Sequence, residues 1–255
     1  MLSLRASLMG LALLAAGSLP AVAADLGDMH ESAHERGDMD VAGNSRFYLR
    51  GDGSFAWYRA PSMTEGGIEL TDTSLAHSWV YGAGLGMYLS PNWRIDLTVE
   101  HRNDAAAHGY LTVPADLTLT GTRDFSINSN VVLANLYYDF SGRAGFNPYL
   151  GVGLGWSTNK AHNGMATDTC GCITSIEDAN QSNFAWALMA GFTRELDRGF
   201  SLDAGYRLIN IGKAHTGDLV KHNVGLPDTA IPGTDPATGS IYANEVRIGL
   251  RYDIF

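Results

Sequence analysis

Apolar and polar residues alternate along most of this chain. In the closing stretch 241–255, Tyr242, Val246, Ile248, Leu250, Tyr252 and Ile254 hold even positions, while Glu245, Arg247, Gly249, Arg251 and Asp253 lie between them. A strand sends successive side chains to opposite faces, so this pattern predicts a strand with one apolar and one charged face. The pattern recurs upstream. Over 46–58, Phe47, Leu49, Phe55 and Trp57 oppose Tyr48, Arg50, Asp52 and Ser54. Over 78–89, Trp79, Tyr81, Ala83, Leu85 and Met87 oppose Gly82, Gly84 and Gly86. Over 93–102, Trp93, Ile95, Leu97 and Val99 oppose Arg94, Asp96, Thr98, Glu100 and Arg102. Further strands are predicted over 127–140, 148–159, 183–196 and 200–211, which brings the count to eight.

The connections between them alternate in length. Long polar segments at 59–77, 103–125, 160–182 and 212–240 are separated by short turns at 90–92, 141–147 and 197–199. Within the second, LTVPADLTLTG can also be read as extending the strands beside it. Long loops on one side and tight turns on the other are the pattern of an outer-membrane barrel. The fold class expected is all-β: an eight-stranded antiparallel up-and-down transmembrane β-barrel, with loops outside and turns in the periplasm. Strands of about ten residues, at about 3.3 Å each and tilted near 45°, cover an apolar band about 25 Å tall.

The aromatic residues refine this picture. In the predicted register Trp57, Trp79, Trp156 and Trp186 end their strands on the external side. Phe47, Trp93, Tyr138, Phe140, Phe200 and Tyr252 end theirs on the periplasmic side. Two outward-facing girdles result, at the two interfaces where amphipathic rings prefer to sit. The charges face the other way. Arg50, Asp52, Arg94, Asp96, Glu100, Arg102, Asp203, Arg207, Glu245, Arg247 and Arg251 are nearly balanced in sign and can pair within a lumen. Turned toward lipid, each Arg near the midplane would cost about 2–4 kcal/mol. A lipocalin-like soluble barrel would instead hold the rings inside and the charges in water. Eight strands leave an interior barely wide enough for side chains, so a polar, plugged lumen is expected.

Residues 1–23 read as a secretory signal, with Arg5, an apolar run from Leu8 to Ala16 and the small-residue site Ala21-Val22-Ala23. Residues 24–45 are polar and without periodicity, which predicts a flexible periplasmic tail; residues 46–255 then form the barrel. Within the tail, His30-Glu31-Ser32-Ala33-His34 with Gly37 and Asp40 matches a zinc-protease helix. Such a helix must pack against a preceding sheet, and only the signal precedes this one, so a solvated tail is the preferred reading. The formal charge of −10 excludes nucleic acid as a partner, because phosphates would be repelled. Cys170 and Cys172, the two cysteines, lie in one predicted loop; an exported chain favours a local disulfide over a metal pair or free thiols.

The stretches Asn135-Leu136-Tyr137-Tyr138-Asp139-Phe140, Pro148 to Gly155 and Gly249-Leu250-Arg251-Tyr252, with the final Phe255, resemble the small eight-stranded outer-membrane β-barrels. That group includes the OmpA transmembrane domain, OmpX and the opacity proteins, and the likeness is to the surface barrels of alphaproteobacteria. The resemblance implies that Tyr252 and Phe255 serve as an assembly signal, although Asp253 stands where the family usually has an aromatic residue. It also implies outer-membrane lipid and the barrel-assembly machinery as partners. Envelope structure, adhesion through the loops to a host or surface ligand, or hemin binding are the implied roles, and no catalytic residue carries over.

The expected function is therefore a non-enzymatic, cofactor-free surface barrel acting through four external loops. Two alternatives stand beside it. One is haem or metal capture by His77, His101, His108, His162, His215 and His222, all expected on the external side. The other is a narrow small-solute pore. A lipid-acting enzyme would need a His beside a hydroxyl or carboxylate, for which His77-Ser78 and His101 with Glu100 are the candidates.

Overall fold

The computed structural model describes residues 47–254, apart from 114, 116, 143, 144, 197 and 222–227. The expected signal, the tail with its His30–His34 motif, His222 and the terminal Phe255 lie outside the described residues.

Eight wall strands account for the alternation: β1 (Phe47–Tyr58), β2 (Ser78–Tyr88), β3 (Trp93–Thr112), β4 (Thr120–Asp139), β5 (Phe146–Asp168), β6 (Ala179–Glu195), β7 (Phe200–Asn210) and β8 (Tyr242–Ile254). Each pairs antiparallel with its neighbours in sequence. The ring closes where β1 meets β8, from Phe47 opposite Ile254 to Tyr58 opposite Ala243. Closure leaves the wall without a free edge, the condition for a sheet to cross lipid. Short turns join β2 to β3, β4 to β5 and β6 to β7. In the last, Arg198 and Gly199 adopt positive φ (61° and 78°), and Leu196 N–H donates to Phe200 O at 2.7 Å.

The wall is taller on one side than the alternation alone suggested. The expected loops at 103–125 and 160–182 are largely strand: β3 runs on to Thr112, β4 begins at Thr120, β5 reaches Asp168 and β6 begins at Ala179. The reason is an inversion of polarity. Within the lipid band, Leu97, Val99, Val132 and Leu154 face outward and Arg94, Asp96 and Arg102 are buried inside. Above it, Ala105, Ala107, Leu111, Phe125 and Ile127 are buried inside, while Asp104, Asp124 and Lys160 face out. The upper wall is thus built like a soluble sheet, with its greasy face inward. Register shifts between Arg102 and Ala105, and between Asp124 and Ser126, fall at this changeover. The extra residue lies in β3 at the first and in β5 at the second, so the inward parity swaps from Arg102 to Ala105 and from Ala161 to Ala166 while that of β4 is unchanged.

The longer connections also carry structure. The segment Thr71–Leu75 adds to β3. Met63–Glu65, Ile68–Glu69 and Ala237–Thr238 form a separate three-stranded sheet. Met63 and Leu70 bury their side chains in the same apolar cluster as Phe125, Ile127, Val131, Ile209 and Ile211. Ile173–Ile176 pairs with β5 and continues through Leu219–Lys221 to Thr229–Ile231.

Candidate functional surfaces: the lumen and the external tip

Inward-facing parity brings the charged residues of β1, β3, β7 and β8 together inside the ring. The glycines of β2 make room for them. A Cβ at Gly86 would collide with the Tyr48 ring, and one at Gly84 with the backbone of Leu97 and the side chain of Thr98, and would crowd Arg50. Arg50 donates to Asp52 (2.6 and 3.0 Å), to Asp96 Oδ2 (2.7 Å) and to the Tyr137 hydroxyl (2.9 Å). Asp96 also accepts from Tyr48 Oη (3.1 Å) and Asn135 Nδ2 (2.7 Å). One layer nearer the outside, Glu245 accepts from Arg102 Nη2 (2.5 Å) and Arg207 Nε (2.7 Å), and Glu100 accepts from both terminal nitrogens of Arg207. Arg–carboxylate forks of this kind are short and orientation-specific.

Toward the periplasmic end the pairing loosens. Arg94 Nε donates to Asp139 at 2.8 Å, whereas Asp203 lies 3.7 Å from Arg94 and 3.6 Å from Arg251. Arg247 lies 3.8 Å from Asp52. Tyrosine faces complete these surroundings: Arg94 sits 4.1 Å over the Tyr137 ring and Arg251 5.2 Å over Tyr48. All eleven charged side chains of the expected network therefore point inward. Ten of the eleven residues are buried and Asp52 is half-buried, with a side chain only 5% exposed.

The tryptophans occupy the opposite face. Trp57, Trp79, Trp93 and Trp156 are exposed on the outside of the ring, and Trp186 is half-buried there. At one end Trp93, Tyr138 and Phe140 stack edge to face with centroids 4.9 and 4.8 Å apart, and Phe200 meets Tyr252 at 4.7 Å. At the other end Phe55 packs between Trp57 (4.9 Å) and Trp79 (5.0 Å). Rings in contact within each row add edge-to-face attraction to their interfacial preference.

The external tip is a second locality, assembled by the extended strands. Arg123 of β4, buried, pairs with Glu65 of the three-stranded sheet and with Asp168 at the top of β5 (3.0 Å). Burial opposes its charge, but the Glu65 hydrogen bond and charge prevail and hold it above its ordinary pKa. Beside it a cleft of about 550 Å3 is lined by Leu111, Val113, Leu119, Arg123, Asp168 and Cys170. Cys170 and Cys172 are joined as a disulfide in the turn between β5 and Ile173–Ile176. Leu117, Leu119 and Ile173 are exposed around it.

The histidines are dispersed. His101 Nδ1 meets Asn130 Oδ1 (2.8 Å), His108 meets Asp124 (2.6 Å), and His162 Nε2 meets Asp104 (2.9 Å) and Asn128 (3.1 Å). His215 contacts Thr216 O at 2.9 Å, and His77 lies 6.1 Å from the Phe55 ring. Among the described residues, no three His, Cys, Asp or Glu side chains are arranged to hold a metal. The two acid–base candidates come apart on the alternation itself: Glu100 and Ser78 are buried inside, while His101 and His77 are exposed. The Asp104–Asn128–His162 contact, by contrast, had no signal in the sequence, because a bulge brings its members to one face.

A closed ring of antiparallel strands, greasy toward its surroundings and ionic within, defines a transmembrane β-barrel. The chain belongs to the outer membrane protein beta-barrel domain family, whose model matches residues 9–253. It is 26% identical over 218 residues to a Rickettsia bellii protein named "Putative adhesin", across 83% of this chain and 90% of the relative. It is 29% identical over 126 residues to outer membrane protein PagN of Salmonella typhimurium, about half of each chain (49% and 50%). Among solved structures, Neisserial surface protein A aligns over 82% of this chain and 97% of its own, at 17% identity and a TM-score of 0.45. The protein is accordingly a barrel of the Gram-negative outer membrane.

Proposed function

We propose that the protein is a non-enzymatic surface barrel whose bore conducts nothing and whose four external connections make the contacts, in the manner of an adhesin. The observation that carries this reading is the burial of the inward-facing side chains. The lower half of the interior holds the Arg–carboxylate network, with Val131 and Leu133 level with Glu100 and Thr98, and the upper half holds Phe125, Ile127, Ile209 and Ile211 beneath the buried Met63. An eight-stranded ring has little further space to offer. The tall wall of β3 to β6 then serves to hold the tip clear of the lipid headgroups, on a rigid frame suited to binding. The relative named an adhesin supports the same assignment. In this reading the two aromatic girdles seat the barrel in outer-membrane lipid, and Tyr252 with Phe255 addresses it to the assembly machinery.

Two measurements test it. The refolded protein in planar bilayers is expected to give no conductance steps above the lipid baseline; regular steps would replace the plug with a pore. A laboratory strain displaying the barrel is expected to bind an epithelial monolayer or matrix-coated surface several-fold better than the empty strain. Replacement of 113–119 and 169–172 by Gly-Ser linkers is expected to abolish the gain. Equal binding by displaying and empty strains would remove the adhesin role.

A further inference from the structure

The disulfide at the tip is redundant as a structural tie. Its turn is already closed by its own backbone, with Asp168 N–H donating to Cys172 O (3.1 Å) and Gly171 N–H to Asp168 O (2.8 Å). Thr169 Oγ1 bonds across to the β3–β4 tip, donating to Thr118 O and Thr120 O (2.9 Å each) and accepting from Thr120 N–H (2.7 Å). Cross-linking residues two apart closes a very small loop, and the entropy removed from the unfolded chain grows only with the logarithm of loop length. Both cysteines are exposed, and exposed disulfides are the labile ones.

Two further features give the bond a direction and a neighbour. Cys172 N–H points at Cys170 Sγ (3.2 Å), so a thiolate formed on Cys170 has a hydrogen-bond donor in place, whereas among the described residues Cys172 Sγ has none. Cys170 also forms one wall of the cleft lined by Leu111, Val113 and Leu119, with Leu117 and Ile173 exposed nearby. A thiol flanked by apolar side chains can bury them there while it reacts.

We propose that Cys170–Cys172 is a thiol-exchange site, at which the thiolate of a partner protein with apolar flanking residues attacks Cys172 Sγ. The Sγ–Sγ bond breaks, a new bond joins the partner's sulfur to Cys172, and the electron pair leaves on Cys170. The attacking thiol gives its proton to solvent and the Cys170 thiolate recovers one from water. Sulfur oxidation state is conserved across the exchange, and no other oxidant is needed. The product is a covalent mixed disulfide at the external tip. This chemistry stands independently of the adhesin reading, since it needs only the exposed bond and the cleft.

The test uses the full-length protein in detergent micelles with two probes: glutathione, and the peptide acetyl-Ala-Leu-Cys-Leu-Ala-amide. Exchange is quenched by acid and the adduct located by mass spectrometry of tryptic fragments. The expected result is an adduct on Cys172, formed at least fivefold faster by the peptide than by glutathione. That preference is expected to fall to about one in Leu119→Asp. Cys170→Ser, which leaves no disulfide to attack, is expected to give no adduct with either probe. Free thiols in the untreated protein, no adduct, or an adduct chiefly on Cys170 would each overturn the proposal. Equal rates for the two probes would assign the site to low-mass thiols and overturn the protein-thiol reading.

Discussion

Glu245 offers the sharpest test of how the lumen is held. Its side chain is wholly buried and its two oxygens serve two cations, Arg102 and Arg207. The losses on removing its charge are unequal. Arg207 keeps its fork with Glu100, whereas Arg102 is left with Glu100 at 3.8 Å, Tyr58 Oη at 3.4 Å and an Nε without a partner. Stripping one partner from a buried pair costs about 3–5 kcal/mol. Glu245→Gln retains a neutral acceptor, so about 3 kcal/mol is expected, near the bottom of that range and roughly two decades in the unfolding equilibrium. The assay is reversible urea unfolding in lipid vesicles, followed by tryptophan fluorescence and by gel migration without boiling. Asp178→Asn is the control, because its pair with Lys160 is 3.5 Å long and half in water, and should cost less than about 1 kcal/mol. A Glu245→Gln penalty no larger than that of the control would refute the reasoning, since the charges would then be solvated rather than paired.

Other substitutions probe the remaining parts. Glu245→Gln should leave planar bilayers silent, because the apolar upper interior still fills the bore; new conductance steps would place the seal in the ion pairs. Leu97→Arg, on the outer face within the lipid band, should destabilise the barrel in vesicles by about 2–4 kcal/mol; a negligible effect would contradict a lipid-facing Leu97. Glu65→Gln removes the charge opposite Arg123 and should cost about 2 kcal/mol, seen as faster proteolysis at Gly66-Gly67 with the membrane-embedded wall intact. Asp104 accepts from Asn128 and His162, and these hydrogen bonds hold its carboxyl below the usual value. Its contribution is therefore complete above about pH 4, the unfolded value, and is lost as pH falls through the lowered one. Urea midpoints of the wild type and Asp104→Asn should differ at pH 6 and converge in acid; divergence in acid would reverse the assignment.

Some of this protein was determined by local order along the chain. Alternation with period two names strands directly, and β1, β2, β7 and β8 sit within a residue or two of where Phe47, Trp79, Phe200 and Tyr242 imply. Facing was equally legible: a charge such as Arg94 beside Trp93 and Ile95 admits one sensible assignment once the surroundings are lipid. The separation of His101 from Glu100 follows from the same rule. Other features needed the folded molecule. The upper walls of β3 and β4 turn apolar residues inward and polar ones outward, so no apolar outward stripe marks them: Ala105 faces inward only after the bulge in β3, while Phe125 and Ile127 keep the inward parity that Asn135 has lower on β4. A bulge depends on how two strands register against each other, which no single strand records. Likewise Arg123 finds Glu65 and Asp168 across 58 and 45 residues of sequence. The cleft beside Cys170 exists only because two hairpin tips arrive side by side. Period and polarity are properties of a segment, whereas pairings between distant segments are set by closing the ring.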